Sequence, residues 1–392
     1  MLKIVGRTLF VALWLIFAAF CIILILIPLA VTVVVKLGYH PTDVFGSWLP
    51  PFERTRLAAM QLFLPLWVFF VGGCFGSFLN VVAWRVPRGQ SILGSSHCPS
   101  CNVLLKFPTT NVPILGWLKN GGRCGSCQWR IPVRYFIAEL SLGIAFAVLY
   151  LTQASSGGVA IPFRELIELD QDDRTLKFDL LRLDLLTIFG YHLSLLSLVF
   201  TFAICGSEKF RAPIRILLVG IAILFGFQAF DLSPGIVDFH FGSASEEHSA
   251  SRFLMLLKSP QNFLLASGCG IIAASGCFLA FRLASQRDLH GSYAGLLLVG
   301  IALGWQAVLS VSVISCLIRV VTKLHFTAAI FCATVVHLCT WRLQLDWWCW
   351  PGPKSGPLQL ACGVILVCVL TAIIRFTTTG SLPLDTDGSQ KK

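Results

Sequence analysis

Two cysteine pairs carry the plainest chemistry in this sequence. Cys98-Pro-Ser-Cys101 and Cys124-Gly-Ser-Cys127 each set two thiols on one tight turn, with 22 residues between the pairs. A tetrahedral structural zinc site needs that pattern, because each knuckle supplies two thiolates. Gly89, Gly94, Gly116, Gly121, Gly122 and Gly125 suit the turns, and nearby Arg and Lys would offset the charge of a tetrathiolate. Two disulfides or four unrelated thiols are the alternatives, and a reducing compartment disfavours disulfides. With few large apolar side chains, the segment from Arg85 to Arg134 depends on such a metal to fold. His97 adjoins Cys98 but is not needed as a fifth ligand.

Other polar positions stand where apolar ones are expected. Gly72-Gly-Cys-Phe-Gly76-Ser-Phe-Leu-Asn80-Val-Val82 runs into Arg85-Val-Pro87. Its small residues permit close approach of membrane helices. Asn80 near the end of that run can bond a neighbouring helix or a bound peptide backbone. Glu139, one turn into the next apolar run, needs a partner or a cavity, because a carboxylate in a membrane helix is costly. Arg134 and Arg85 are the expected partners, so a structural ion pair weighs as much as catalysis.

The elements that position these groups follow from composition. The 392 residues are 56% hydrophobic and only 12% charged, with mean hydropathy +0.79. So few charges cannot cover a water-soluble fold of this length. The predicted class is an all-α polytopic membrane protein of about nine transmembrane helices with a small zinc-binding cytoplasmic loop domain. The spans run Leu9 to Val35, Ala58 to Trp84, Tyr135 to Leu151, Leu185 to Cys205, Ile214 to Phe230, Asn262 to Leu283, Tyr293 to Ile318, Phe326 to Thr340 and Leu358 to Ile374. The first is read as a retained anchor rather than a cleaved signal peptide. Cys21, Cys269, Cys277, Cys316, Cys362 and Cys368 sit singly in these runs, as small buried hydrophobes.

Charge sets the orientation. The net charge of +11 invites a nucleic-acid reading, but in a membrane protein basic residues mark cytoplasmic loops. Arg85, Arg88, Lys106, Lys119, Arg123, Arg130 and Arg134 fall in one segment without an acidic residue, so that segment is predicted cytoplasmic. Counting spans then puts the N-terminus inside and the C-terminal tail outside. The acidic stretch Arg164 to Asp184 falls outside, and the basic turns Gly206 to Arg215 and Arg282 to Gly291 fall inside. Arg319 and Lys323 break the rule by landing outside. The divisions read as an N-terminal anchor and outer loop (1–57), a region carrying the cysteine loop (58–151, loop 85–134), an acidic outer insertion (152–184), a membrane bundle (185–376) and a polar tail (377–392).

Gly76-Ser-Phe-Leu-Asn80 with Arg85 and Pro87, the double Cys-x-x-Cys, and Arg134-Tyr-Phe-Ile-Ala-Glu139-Leu together resemble the bacterial type IV prepilin peptidase family. The match is close over about 75 residues and loose over the later helices. The resemblance implies an inner-membrane aspartic protease that cuts the leader from prepilins and type II secretion pseudopilins at the cytoplasmic face. It also implies methylation of the new N-terminus from S-adenosylmethionine. Family members have eight membrane helices, so the Leu9 to Val35 helix is an extra one in front.

The implied chemistry needs two aspartates, one accepting a proton from water while the other protonates the scissile carbonyl. Family spacing puts the first at Gly206, seven residues before Pro213, and the second at Ser292, ahead of Gly304-Trp305. Both carboxylates are missing there. Glu208 and Asp288 lie in the same two turns and offer a displaced dyad. Asp231 mimics the first motif but falls on the outer face. Ser292 as a nucleophile has only His290 for a base.

These residues leave three readings. One is a degenerate member that binds a prepilin or pseudopilin N-terminal segment without cutting it. The second is an active leader peptidase using Glu208 and Asp288. The third is an unrelated zinc-stapled transporter or receptor, which the lack of paired charges within the helices opposes. The expected cofactor is structural Zn2+. S-adenosylmethionine enters by resemblance alone, since no glycine-rich nucleotide loop of the Rossmann type is present. The partners are the bilayer and pilin-like segments, with no nucleic acid.

Overall fold

In the computed structural model the described residues are 51–94, 96–105, 112–156, 158–161, 183–208, 213–229, 260–284, 291–345 and 357–379. The predicted anchor Leu9 to Val35, residues 164–182 of the acidic stretch, Asp231, Asp288 and His290 lie outside them. Every long element described is a helix: α1 (Pro51–Arg85), α2 (Leu115–Lys119), α3 (Val133–Leu149), α4 (Leu183–Ser207), α5 (Ile214–Ala229), α6 (Pro260–Ala284), α7 (Ser292–Leu303), α8 (Trp305–Thr322), α9 (Phe326–Leu345) and α10 (Pro357–Thr379). Among the described residues six helical segments are long and apolar enough to cross a membrane, and α5, α6 and α7 contain shorter apolar stretches. The chain divides into two compact units, and the larger one, formed by Gln61–Glu168 and Phe178–Lys392, holds the cysteine loop and all the helices after α1.

Glycines let the helices of this unit touch backbone to backbone. A Cβ at Gly72 would meet the Leu142 carbonyl oxygen at 2.8 Å, and one at Gly76 would lie 2.9 Å from Cα of Glu139. The small residues of α1 thus serve close packing on α3, as their spacing predicts. A Cβ at Gly270 would sit 2.1 Å from the Gly300 carbonyl oxygen, so α6 and α7 are equally intimate.

Neighbours fix the direction of each helix. Helix α3 runs antiparallel to α1 and continues through a π-helical turn, Tyr150–Ala154, where Tyr150 meets Phe189 near the start of α4. Helix α4 returns, and Cys205 near its end bonds the Ala83 carbonyl of α1. Helix α5 runs back along it, with Gly190 beside Phe227 and Gly220 against Leu198. Helix α7 begins at Gly291 against Phe202 and reaches Ala302, whose carbonyl accepts from the Tyr191 hydroxyl at 2.8 Å.

The apolar pattern alone takes Tyr293 to Ile318 as one span. The structure breaks it at Gly304, whose φ of 85° and ψ of −179° admit glycine alone without strain. The chain reverses there. Arg319 near the end of α8 lies over the Phe326 ring, and Phe326 stacks on Phe281 near the end of α6. Thr327 bonds the Ala203 carbonyl on α4, so α8 has come back to the face where α7 began. A non-helical residue at membrane depth is tolerated only where protein covers it, and Leu303, Trp305 and Ala307 are all fully buried.

This hairpin corrects the orientation count. Arg319 and Lys323 now join the face that holds Arg85, Arg134 and Arg282, and the exception to the basic-residue rule disappears. Helix α9 leaves that face, placing Phe331 on Phe200 and Trp341 near His192. Helix α10 comes back alongside α8. Gly363 abuts Leu309, and Cys368 lies by Cys277, which itself neighbours Ser312. Its last turn therefore ends on the same face as the cysteine loop, opposite to the expected outer C-terminus. A reporter fused after Thr379 should report the same compartment as one inserted at Asn120; opposite compartments would refute the hairpin.

Candidate functional site

The four-cysteine loop is two copies of one turn. Cys98 N–H donates to the Val103 carbonyl and Asn102 N–H to the Cys98 carbonyl, each at 2.9 Å. Cys124 repeats this with Trp129 and Gln128, at 2.9 and 3.0 Å. Asn102 and Gln128, each just after a second cysteine, take positive φ of 54° and 60°. Bridges His97–Leu104 and Arg123–Arg130 close the two knuckles, so His97 belongs to the turn's backbone.

The turns converge their sulfurs. All four Sγ atoms lie within 4.8 Å of one another, with Cys98–Cys127 and Cys101–Cys124 each at 3.8 Å. A zinc tetrahedron with 2.3 Å bonds has ligand-to-ligand edges of about 3.8 Å, so the donor set fits a metal of that kind. Backbone N–H groups of Cys127 and Ser126 point at Cys124 and hold its thiol down to about 6, while Cys101 beside it is pushed up to about 12, its burial and neighbouring thiols outweighing its bond with the Val103 backbone. None of the four is in a disulfide.

Glu139 does not pair with Arg134 or Arg85. Its Oε2 accepts the Ile114 N–H at 2.7 Å, and its carboxyl also meets Ser77. Ile114 has φ 62° and ψ −58°, and Leu115 N–H closes onto the Pro113 carbonyl at 2.6 Å, which is a γ-turn with the rare positive φ. A β-branched residue there is strained by about 1–3 kcal/mol. A hydrogen bond contributes about 0.5–1.5 kcal/mol net, so the Glu139 carboxyl offsets part of the strain of the turn it holds. Val112, Pro113 and Ile114 are buried, Ile114 packs over Gly73, and Trp117 stacks on Phe136 with its Nε1 donating to the Ile131 carbonyl. The second half of the loop is thus clipped onto α1 and α3. Sequence reasoning missed this clip; the signal was Val112-Pro113-Ile114, an apolar triplet in an otherwise polar stretch.

Arg134 pairs instead with Glu208, just beyond the end of α4, and stands beside Trp84. Gly206 is one turn past Phe202, the residue whose carbonyl Gly291 touches, so Gly206 and Ser292 belong to neighbouring helix ends. Gly206 has no side chain to offer. Ser292 is fully buried, and its hydroxyl has no partner among the described residues. Asn80 is buried too, and its amide nitrogen has no partner among them, so the expected bond from that group to a neighbouring helix is not made there.

A second polar cluster crosses the bundle near its opposite face. His192 Nδ1 lies 2.7 Å from Gln153 Oε1, and Gln153 Nε2 donates to the Leu338 carbonyl at 3.1 Å. His337 Nδ1 is 3.0 Å from both Ser310 and Gln344, and Gln344 Nε2 donates to Thr340. Since both amide oxygens accept, each imidazole carries its proton on Nδ1. These bonds fix the relative register of α3, α4, α8 and α9, which is structure rather than chemistry.

Residues 70–153 match the family described as the Bacterial Peptidase A24 N-terminal domain. The chain is 45% identical over 82 residues to a prepilin leader peptidase/N-methyltransferase of Myxococcus xanthus, covering 21% of this chain and 24% of the relative. It is 38% identical over 107 residues to a type 4 prepilin-like proteins leader peptide-processing enzyme of Escherichia coli, covering 22% and 39%. A prepilin leader peptidase/N-methyltransferase of Bacillus subtilis is 38% identical over 81 residues, covering 20% and 32%. The chain thus spans about a quarter to two-fifths of the length of these relatives. No solved structure matches it.

Two outcomes are expected of this loop. The detergent-purified protein should hold about one zinc per chain, and Cys98→Ser with Cys124→Ser should abolish binding, read by metal analysis. Glu139→Leu should leave the metal in place while cleavage of residues 112–118 by an added protease accelerates; unchanged cleavage would show that the clip holds nothing.

Proposed function

We propose that the chain, on the strength of its likeness to the prepilin peptidase family over residues 70–153, is a member of that family that binds the N-terminal segment of a prepilin or pseudopilin without cutting it. One observation carries the proposal: the two positions matching the family's catalytic aspartates are Gly206 and Ser292. Hydrolysis by an aspartic pair needs two carboxyl groups sharing a proton across the scissile bond, and neither residue holds one. Glu208, the nearest carboxylate in sequence to Gly206, is engaged by Arg134 on the α3 side. The active reading, with Glu208 and Asp288 as a displaced dyad, requires that ion pair to open.

In this reading the protein lies in the bacterial inner membrane with the cysteine loop in the cytoplasm, where prepilin leaders are met. Zn2+ holds the two knuckles through Cys98, Cys101, Cys124 and Cys127. Methyl transfer from S-adenosylmethionine is part of the names of several relatives and acquires no further support from this chain's residues.

The test is direct. Incubation with a prepilin bearing a Gly–Phe junction should give co-purification of the uncut precursor and no processed product on mass spectrometry. Cleavage that disappears in Glu208→Gln or Asp288→Asn would establish the enzyme instead.

A further inference from the structure

The sulfurs of the two knuckles meet across the loop. Cys98 Sγ lies 3.8 Å from Cys127 Sγ, and Cys101 Sγ lies 3.8 Å from Cys124 Sγ. Each of these pairs joins one buried and one exposed residue. Cys98 and Cys124 are only 3% and 2% exposed, while Cys101 and Cys127 stand open to solvent. The backbone bonds from Cys98 to Val103 and from Cys124 to Trp129 hold each turn in place around its sulfurs. Every exposed sulfur thus has a buried partner on the opposite knuckle, a short shift away from the disulfide bond length of about 2.05 Å.

A thiol that ligates zinc is held deprotonated, so an exposed member of such a set is also a nucleophile. Its oxidation follows a defined ladder. The thiolate becomes a sulfenic acid, which either condenses with a second thiol or is oxidised further and irreversibly. A second sulfur already within reach favours condensation. Here each exposed cysteine has one at 3.8 Å. Disulfides in a reducing compartment are commonly transient and redox-sensing rather than structural, which agrees with the cytoplasmic location proposed above.

We propose that the four-cysteine loop is a site of reversible oxidation by peroxide, which converts it into two cross-knuckle disulfides, Cys98–Cys127 and Cys101–Cys124. The Cys127 thiolate attacks one oxygen of hydrogen peroxide; the O–O bond breaks, hydroxide leaves and a sulfenic acid forms. The Cys98 thiolate then attacks that sulfur; the S–S bond forms, the S–O bond breaks and a second hydroxide leaves. Cys101 and Cys124 repeat these steps with another peroxide. Each sulfur pair gives up two electrons and each peroxide takes up two. Thiolate is the ligating form, so the tie between the knuckles passes from coordination to covalent bonds and the loop stays closed. Exchange with a reducing thiol reverses the change. The inference rests on reading these sulfurs as zinc ligands, and its test is separable from that reading.

The experiment uses the full chain in detergent, its zinc measured first, treated with about two equivalents of hydrogen peroxide per chain, one for each disulfide. Remaining thiols are alkylated, and the protein is cut with trypsin without reduction. Cleavage after Arg88, Lys106, Arg123 and Arg130 puts Cys98 and Cys101 in peptide 89–106 and Cys124 and Cys127 in peptide 124–130. On mass spectrometry the two peptides should appear joined, four hydrogens lighter than their sum, with fragmentation linking Cys98 to Cys127. Zinc should be lost in step with the joining, and a dithiol reductant with added zinc should restore both. Cys127→Ser should retain only the Cys101–Cys124 link and leave Cys98 open to alkylation. Peptides closed separately within themselves overturn the proposal, as do sulfinic acids, the opposite cross pairing or unchanged thiols. Zinc absent before peroxide counts against the metal reading alone, and the peptide masses still decide this one.

Discussion

A chain in lipid has no water to satisfy its backbone, and that one constraint organises this structure. It makes the long elements helical and confines irregular backbone to places that protein covers. Gly304 is the instructive case. Its reversal would be intolerable facing acyl chains, yet here Leu303 and Trp305 are enclosed by neighbouring helices. Because the chain turns there, α7 and α8 form a hairpin that enters and leaves by one face. The directions of α9 and α10 are then settled in turn.

Much of this was legible in the amino-acid order. Among the described residues the apolar runs located most of the helices, though Ala58 to Trp84 starts late against Pro51–Arg85 and Tyr293 to Ile318 proved to be two helices; the glycines of Gly72 to Gly76 announced a close helix pair, and the two Cys-x-x-Cys motifs announced converging sulfurs. The turn at Gly304 was not legible, because one glycine between two apolar runs reads equally as helix interior. Arg319 and Lys323 were the clue, being basic residues on the wrong side of a straight count. The clip between Glu139 and Ile114 was hidden for a different reason. A carboxylate normally seeks a cation, and only the fold reveals that a backbone N–H in a strained turn takes that role.

Around residues 70–153 the cysteine pairs, the glycine contacts and the clip form one consistent assembly, and this is the stretch shared with the leader peptidases. At the ends of α4 and α7 the packing is equally close, with Gly291 against Phe202, and Gly206 and the buried Ser292 lie at those ends.

The π-helical turn at Tyr150–Ala154 has a quieter consequence. A π turn holds one residue more than the α-helix it interrupts, so everything after it is advanced by about 100° around the axis relative to an uninterrupted helix. Gln153 lies within that turn and meets His192 and the Leu338 carbonyl inside the bundle. The turn behaves as an insertion that the fold has put to use. Deleting a single residue there, with no change of chemistry, would rotate the amide out of the interior and leave two buried polar groups unanswered.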